Sequence, residues 1–536
     1  MSTNQKDTFV WNDSLPGDFL WTKTNLGEVF SEPMTPLTWS VAQFTFKDLV
    51  YLPGHFMLGN IGGWPYFNFS NLATALRILG LSRKQTIDIM EELLNIRLPA
   101  GVEVPLIPYP GWKFIPVMRN ILRYFSQANQ AVKIAPAYLA GTPGWFIRCR
   151  EKLEQEQTLP GLHKIWQEDI QQHVLQGLWV VLSTANASSD YTSKLRRKLL
   201  QLVGSEDANT LLTNLSGESE LLVSLGPVLG ISKVVRGEMS RETYLEQYGH
   251  RGTQEFELAA PRPVEEPDWL DQEIIRFQKD PADVYAMLEE QKKTFAAAWG
   301  RFVSTHPGQA KSMQHKLHEN ARRARLREQV RSEYVRDRWL VRLFALRVGA
   351  VTGIGSDVFF LTMDELLAVL SGDNTALSNI AARKTMHQKL MKLPAYPAII
   401  RGSFKPFDWA ADPNRRSDVY DVNASAADRE SKLIKGSPGS AGKVEGIVRV
   451  IESPADGDNL QTGEILVAVQ TDIAWTLLFP RVSAVITDVG AALSHAAIVA
   501  RELGIPAVVG CGNATARLRT GDRVRVDGAM GSVEII

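Results

Sequence analysis

One stretch near the C-terminus constrains this chain more than any other, the residues from Ala484 to Gly510. Ala484 to Asp488 predicts a short apolar strand. Gly490, Ala491 and Ala492 make a turn of small residues. Ser494 is a residue type that caps helices, His495 falls in the first turn behind it, and Gly504 and Pro506 end the helix. Val508 and Val509 begin another strand. The expected unit is strand–turn–helix–strand, with one imidazole at the helix N-terminus.

That placement has chemical content. The orphan N–H groups and the dipole of a helix N-terminus favour anions and disfavour imidazolium. His495 is therefore expected to stay neutral and nucleophilic, and the small residues ahead of it leave room for a bulky donor. The position suits a histidine that takes up a phosphoryl group, and it equally suits an ordinary cap residue. The full string resembles the phosphohistidine swivelling domain of the phosphoenolpyruvate-utilising enzymes, over about Gly436 to Ile536. The resemblance implies that His495 is the phosphoryl carrier. The family turn usually has two glycines, and here Gly490 is followed by Ala491, which is expected to tighten the pocket without abolishing transfer.

The 536 residues allow two to four domains with sizeable cores. Lys plus Arg equal Asp plus Glu at 59 each, so no overall pull toward nucleic acid or an anionic membrane is expected. Cys149 and Cys511 are the only cysteines, too few for a disulfide framework or a metal spacing. The N-terminus lacks a signal pattern and no apolar run is long enough to span a bilayer. A cytoplasmic chain with no membrane partner and no metal site is expected.

Residues 1–407 read as a mainly α-helical acceptor-binding body with an extended N-terminal arm. The arm includes the aromatic, proline-containing run Trp21 to Ser40, which reads as extended. Residues 408–432 are polar and mixed in charge and read as a flexible linker. Residues 433–536 read as α/β, ending in a hairpin from Asp522, so the whole is multi-domain. In the body, His250 and Arg251 follow a helix that ends at Gly249. His250 suits a general base on an acceptor hydroxyl or a bridge between helices, and Arg251 suits binding of the substrate or its phosphoryl group or an ion pair with Glu255. A basic helix over about Ala310 to Gly349 places Arg327 and Arg331 four apart on one face. They suit a clamp on phosphoryl oxygens or a solvated positive face. The strings around Trp21, Gly62, His250 and Arg325 resemble the acceptor-binding region of rifampin phosphotransferases.

Family members that charge their own histidine carry an ATP-grasp domain, and others add a C-terminal pyruvate barrel. Neither has a counterpart in these 536 residues. The layout resembles the histidine subunit of split synthases such as phenylphosphate synthase. The resemblance implies a partner ATP-grasp subunit holding ATP and Mg²⁺, none bound by this chain, and a small organic acceptor for the phosphoryl group. An ATP-dependent condensing enzyme and a non-catalytic ligand-binding relative are the alternatives.

Overall fold

A computed structural model describes residues 17–536 except 24–25, 27–28, 47–51, 53, 95–97, 99–101, 111, 113, 214–224, 280–282, 414, 417–418, 422–432 and 492–493. The order is β1 (Leu20–Thr22), α1 (Pro36–Phe46), β2 (Leu58–Ile61), β3 (Trp64–Asn68), α2 (Phe69–Ile78), α3 (Arg83–Leu94), α4 (Phe114–Gln155) and α5 (Leu159–Ile165). A π-helical turn, Trp166–Ile170, leads into α6 (Gln171–Leu211). Next come α7 (Gly226–Val235), α8 (Arg241–Tyr248), α9 (Trp269–Lys279), α10 (Val284–Thr305), α11 (Ala310–Thr352), α12 (Met363–Leu370), α13 (Ile380–Leu390), β4 (Ile399–Arg401), α14 (Pro406–Ala411) and β5 (Val419–Asp421). The C-terminal part holds β6 (Leu433–Lys435), β7 (Ser437–Ser440), β8 (Lys443–Val450), β9 (Ile465–Ala468), β10 (Ala484–Thr487), α15 (His495–Leu503), β11 (Ala507–Val509), α16 (Ala514–Arg517), β12 (Arg523–Asp527) and β13 (Ser532–Ile535). A helical body followed by a C-terminal α/β region is thus observed. Among the described residues no helix is long and apolar enough to cross a membrane.

The chain divides into two compact units. The first comprises Met1–Ser183, Gln254–Pro261 and Val330–Ala424, and the second Thr184–Thr253, Arg262–Gln329 and Ser425–Ile536. This cuts across the expected division at residues 408–432. The physical reason lies in the second unit's core. Leu225, Val228 and Leu229 at and in α7, and Val284 and Leu288 of α10, share one apolar cluster with Leu466, Trp475, Val485, Ala497 and Leu503. The helices 184–329 and the C-terminal region bury their apolar faces on each other, which a boundary drawn from composition does not reveal.

In the first unit, β1 to β5 form a sheet in the order β2-β3-β1-β4-β5. Two expectations are corrected there. The run Trp21 to Ser40 is not extended throughout, because Pro36 opens α1, where a proline's missing N–H costs nothing. The expected linker is ordered at its start: α14 runs into it, β5 falls within it, and Trp409 is buried with Trp64, Tyr396 and Phe404. The remainder of that segment, 422–432, lies outside the described residues. A capping box opens α12, with Glu365 N donating to Thr362 Oγ1 at 3.3 Å and Thr362 N to Glu365 Oε2 at 2.8 Å.

The second unit carries the sheet β6-β13-β12-β8-β9-β10-β11-β7. Its centre, β8, β9, β10 and β11, is parallel. Central strands β9 and β10 are wholly buried, as sheets covered on both faces require. Parallel pairing of β9 with β10 sends the segments that follow both strands out of the same sheet edge, where ligand sites of α/β sheets gather.

Candidate functional site: a histidine at the edge of the parallel sheet

His495 is the first residue of α15, as the spacing predicts. Ser494 is the N-cap, its Oγ accepting from Ala497 N at 3.3 Å. Gly504 ends the helix in the left-handed region at φ 72°. Gly490 has φ 135°, and a Cβ there would meet Ser494 Oγ at 3.1 Å and Thr487 Oγ1 at 3.4 Å. The first glycine of the turn is therefore fixed by both backbone and space. Ala491 is buried, while Ala492 lies outside the described residues.

The segment after β9 closes over the imidazole. Thr471 Oγ1 lies 3.1 Å from His495 Nδ1, and Thr476 Oγ1 lies 3.2 Å from Nε2. Thr476 sits in a 3₁₀ turn, Ile473–Leu477, whose N-cap Asp472 accepts from Ala474 N at 3.0 Å. The Phe479 ring meets the imidazole edge-on at 6.0 Å. His495 is 8% exposed. A hydroxyl both donates and accepts, so two threonines serve either neutral tautomer of the ring. The arrangement orients the imidazole, with a threonine hydroxyl at each ring nitrogen.

Sequence reasoning found His495 and missed Thr471 and Thr476, 24 and 19 residues earlier. Two threonines in the segment after a buried strand, with Asp472 as a cap between them, were the signal available.

The other expected residues do not join this centre. His250 and Arg251 lie in the turn that follows α8 and are buried there, at 2% and 5% exposure. Glu255, expected beside Arg251, accepts from Arg331 at 3.1 Å. Arg327 pairs with Glu328 at 2.9 Å. Arg327 and Arg331 lie four apart on the continuous helix α11, and each has a carboxylate partner. The rest of the basic helix is likewise engaged. Arg322 and Arg323 share Glu319, Arg336 takes Glu333, Arg338 donates to Phe256 O, and Arg342 donates to Leu258 O and Ala259 O. Guanidinium groups have five donors in a fixed fork, and here several satisfy carbonyls of an irregular loop. Within the run, Arg331, Arg338 and Arg342 fasten residues 254–261 to α11, while Arg322 stays exposed beside Glu319. Among the described residues no cluster of three or more His, Cys, Asp or Glu is arranged to hold a metal ion.

Residues 460–531 match the family described as "PEP-utilising enzyme, mobile domain", and these hold Thr471, Thr476 and His495. The chain carries the mobile domain of the PEP-utilising enzymes. The chain is 32% identical over 308 residues to the prodigiosin synthesizing transferase PigC of Serratia marcescens, covering 54% of this chain and 33% of the relative. It is 31% identical over 323 residues to a rifampicin phosphotransferase of Streptomyces sviceus, covering 57% and 36%. An uncharacterised protein of Mycobacterium tuberculosis is 32% identical over 297 residues, covering 54% and 30%. The matches span about a third of the length of these relatives.

Proposed function

We propose that this chain is the phosphoryl-carrying part of a phosphotransferase. His495 receives its phosphoryl group from ATP through an ATP-grasp domain on another polypeptide, which also holds the Mg²⁺. It then passes the group to a hydroxyl of a small organic acceptor bound by the helical body. The observation that supports this best is the His495 ring, set at a helix N-terminus inside a mobile domain and held at both nitrogens by Thr471 and Thr476. In the loading step a ring nitrogen bonds to phosphorus and the bond to the nucleotide's leaving oxygen breaks. In delivery the P–N bond breaks as the acceptor oxygen bonds to phosphorus. Positioning and neutralised charge dominate such transfers, and the helix N-terminus at His495 supplies part of the second.

The test is labelling with ATP carrying radioactive β-phosphate, with and without a purified ATP-grasp partner. The expected result is acid-labile label on His495 that requires the partner and disappears in His495→Ala. No label in the presence of a partner that turns over ATP would overturn the proposal. Similarity to a protein named as a prodigiosin synthesizing transferase supports a second reading, in which the phosphoryl group activates one substrate for condensation with another. The two differ in product: phosphotransfer leaves phosphate on the acceptor, whereas condensation releases it.

A further inference from the structure

The first unit contains a second histidine whose surroundings are organised around it. The π-helical turn Trp166–Ile170 lies directly ahead of His173, and such turns are rare and concentrate at functional sites. The turn leaves the Asp169 carbonyl to an outside donor, and Trp145 Nε1 donates to it at 2.9 Å. This fixes the Trp145 indole, which stacks on the His173 imidazole at 3.7 Å and 14°. Tyr138 stacks on the same imidazole at 5.4 Å. Three elements thus hold one ring: α4, the start of α6, and α11, which supplies Asp337.

Asp337 is fully buried. Its Oδ2 accepts from Tyr138 Oη at 2.7 Å, and its Oδ1 lies 3.4 Å from His173 Nε2. Space for this carboxylate exists because residue 177 is glycine: a Cβ there would lie 2.3 Å from Asp337 Oδ2. Thr142 settles the tautomer. Its hydroxyl donates to Tyr138 O at 2.8 Å, so toward His173 Nε2, 3.2 Å away, it offers a lone pair. Nε2 therefore faces two acceptors, Thr142 Oγ1 and the Asp337 carboxylate, and carries the hydrogen. In the neutral ring the basic lone pair is on Nδ1. The His173 side chain is 18% exposed, in contrast to the fully buried acid behind it. The other ionisable groups nearby are accounted for: Glu333 pairs with Arg336, Tyr334 is buried, and Asp169 takes Lys152.

A buried carboxylate that orients an imidazole and leaves its far nitrogen basic is the arrangement of a general base. We propose that His173 is the general base for a hydroxyl acceptor bound at the first unit, with Nδ1 the accepting atom and Asp337 the group that steadies the imidazolium. This rests on the function proposed above. The acceptor O–H proton goes to Nδ1 as the oxygen bonds to phosphorus. The P–N bond at His495 breaks and its electron pair returns to the ring nitrogen, and His173 later releases its proton to solvent.

Two measurements on the full chain test this. In the first, His495 is loaded chemically with radioactive phosphoramidate, and acid-stable phosphate ester is measured with phenol, benzyl alcohol and glycerol as probes. His173→Gln is expected to load normally but to form ester about 100-fold more slowly, at the lower end of general-base effects, and to lose the wild-type rise in rate with pH. Asp337→Asn, which keeps an acceptor for Tyr138, is expected to fall between. Ester formation unchanged in His173→Gln would overturn the proposal. The second measurement is diethyl pyrocarbonate modification followed by mass spectrometry, which needs no acceptor. Fast modification of His173, slowed several-fold in Asp337→Asn, is expected. An unreactive His173, or one indifferent to Asp337→Asn, would overturn the proposal. Failure of His495 to load with ATP and partner counts against the carrier function alone, and the pyrocarbonate result then decides the role of His173.

Discussion

Thr471 and Thr476 hold the His495 ring between them, and each bond is worth about 1 kcal/mol net. Thr471→Val keeps the shape and removes one partner. Its labelling rate at His495 is expected to fall by about 5- to 10-fold with the label still acid-labile, and a wild-type rate would show that the hydroxyl does not orient the ring. Asp337 gives a second residue-level prediction. Burial pushes its carboxyl up to about 6 from the usual 3.8, against the opposing pull of His173 and Tyr138. A carboxyl raised in the folded state contributes stability that is present below the unfolded value and lost as pH rises through the folded one. The stability of wild type relative to Asp337→Asn is therefore expected to decline between about pH 4 and pH 6, by at most about 3 kcal/mol, and then to level off. Denaturant titrations at a series of pH values check this, and a gap that widens in favour of wild type over that window would contradict it.

Among elements, α6 and α11 approach closely at Gly177. Gly177 lies where a Cβ would meet the Asp337 carboxylate at 2.3 Å, Tyr138 Oη at 2.8 Å and the Tyr334 ring at 3.0 Å. Gly177→Ala gains helix propensity of about 1 kcal/mol but overpacks a buried polar cluster, at a cost of about 1–3 kcal/mol. Net destabilisation is expected, along with loss of pyrocarbonate reactivity at His173, measured by thermal unfolding and mass spectrometry. A stabilised variant would show that the helices can part at little cost. The loop 254–261 is fastened to α11 in a different way, through Arg338 and Arg342 donating to its carbonyls. Arg342→Ala leaves Leu258 O and Ala259 O to find other donors. Faster amide exchange confined to 254–261 and its neighbours is the expected outcome.

For the whole molecule, the informative fact is that helices 184–329 and the C-terminal region share a core. Leu288 is 3% exposed in that core, and Leu288→Ala is expected to cost about 2–5 kcal/mol. Amide exchange is expected to speed up across the second unit, including α15, and to stay unchanged in residues 330–352 of the first. Equal acceleration in both units would mean that they unfold as one. An isolated fragment 433–536 would bare Leu466, Val485 and Leu503 where α7 and α10 cover them, and it is expected to bind a hydrophobic dye that the full chain does not.

Local signals made His495 legible: a capping serine, small residues ahead of it, and a glycine stop, all within one continuous string. The same signals gave the terminal hairpin. They also gave the division into a helical body and an α/β end, because periodicity is written along the chain. The partners of His495 were not legible, since only the parallel pairing of β9 with β10 brings Thr471 and Thr476 to the same sheet edge. The long-range partners in the arginine run were not legible either, since Arg331 finds Glu255 76 residues away and Arg338 and Arg342 reach carbonyls 82 to 84 residues away. Pro36 misled because a proline signals extension inside a run but is at home in a helix's first turn. The sequence by itself determined that His495 stands at a capped helix N-terminus and the kind of element that holds it. Tertiary structure alone decided what orients that residue, where the units divide, and that His173 meets Asp337, because each depends on side chains brought together from distant elements.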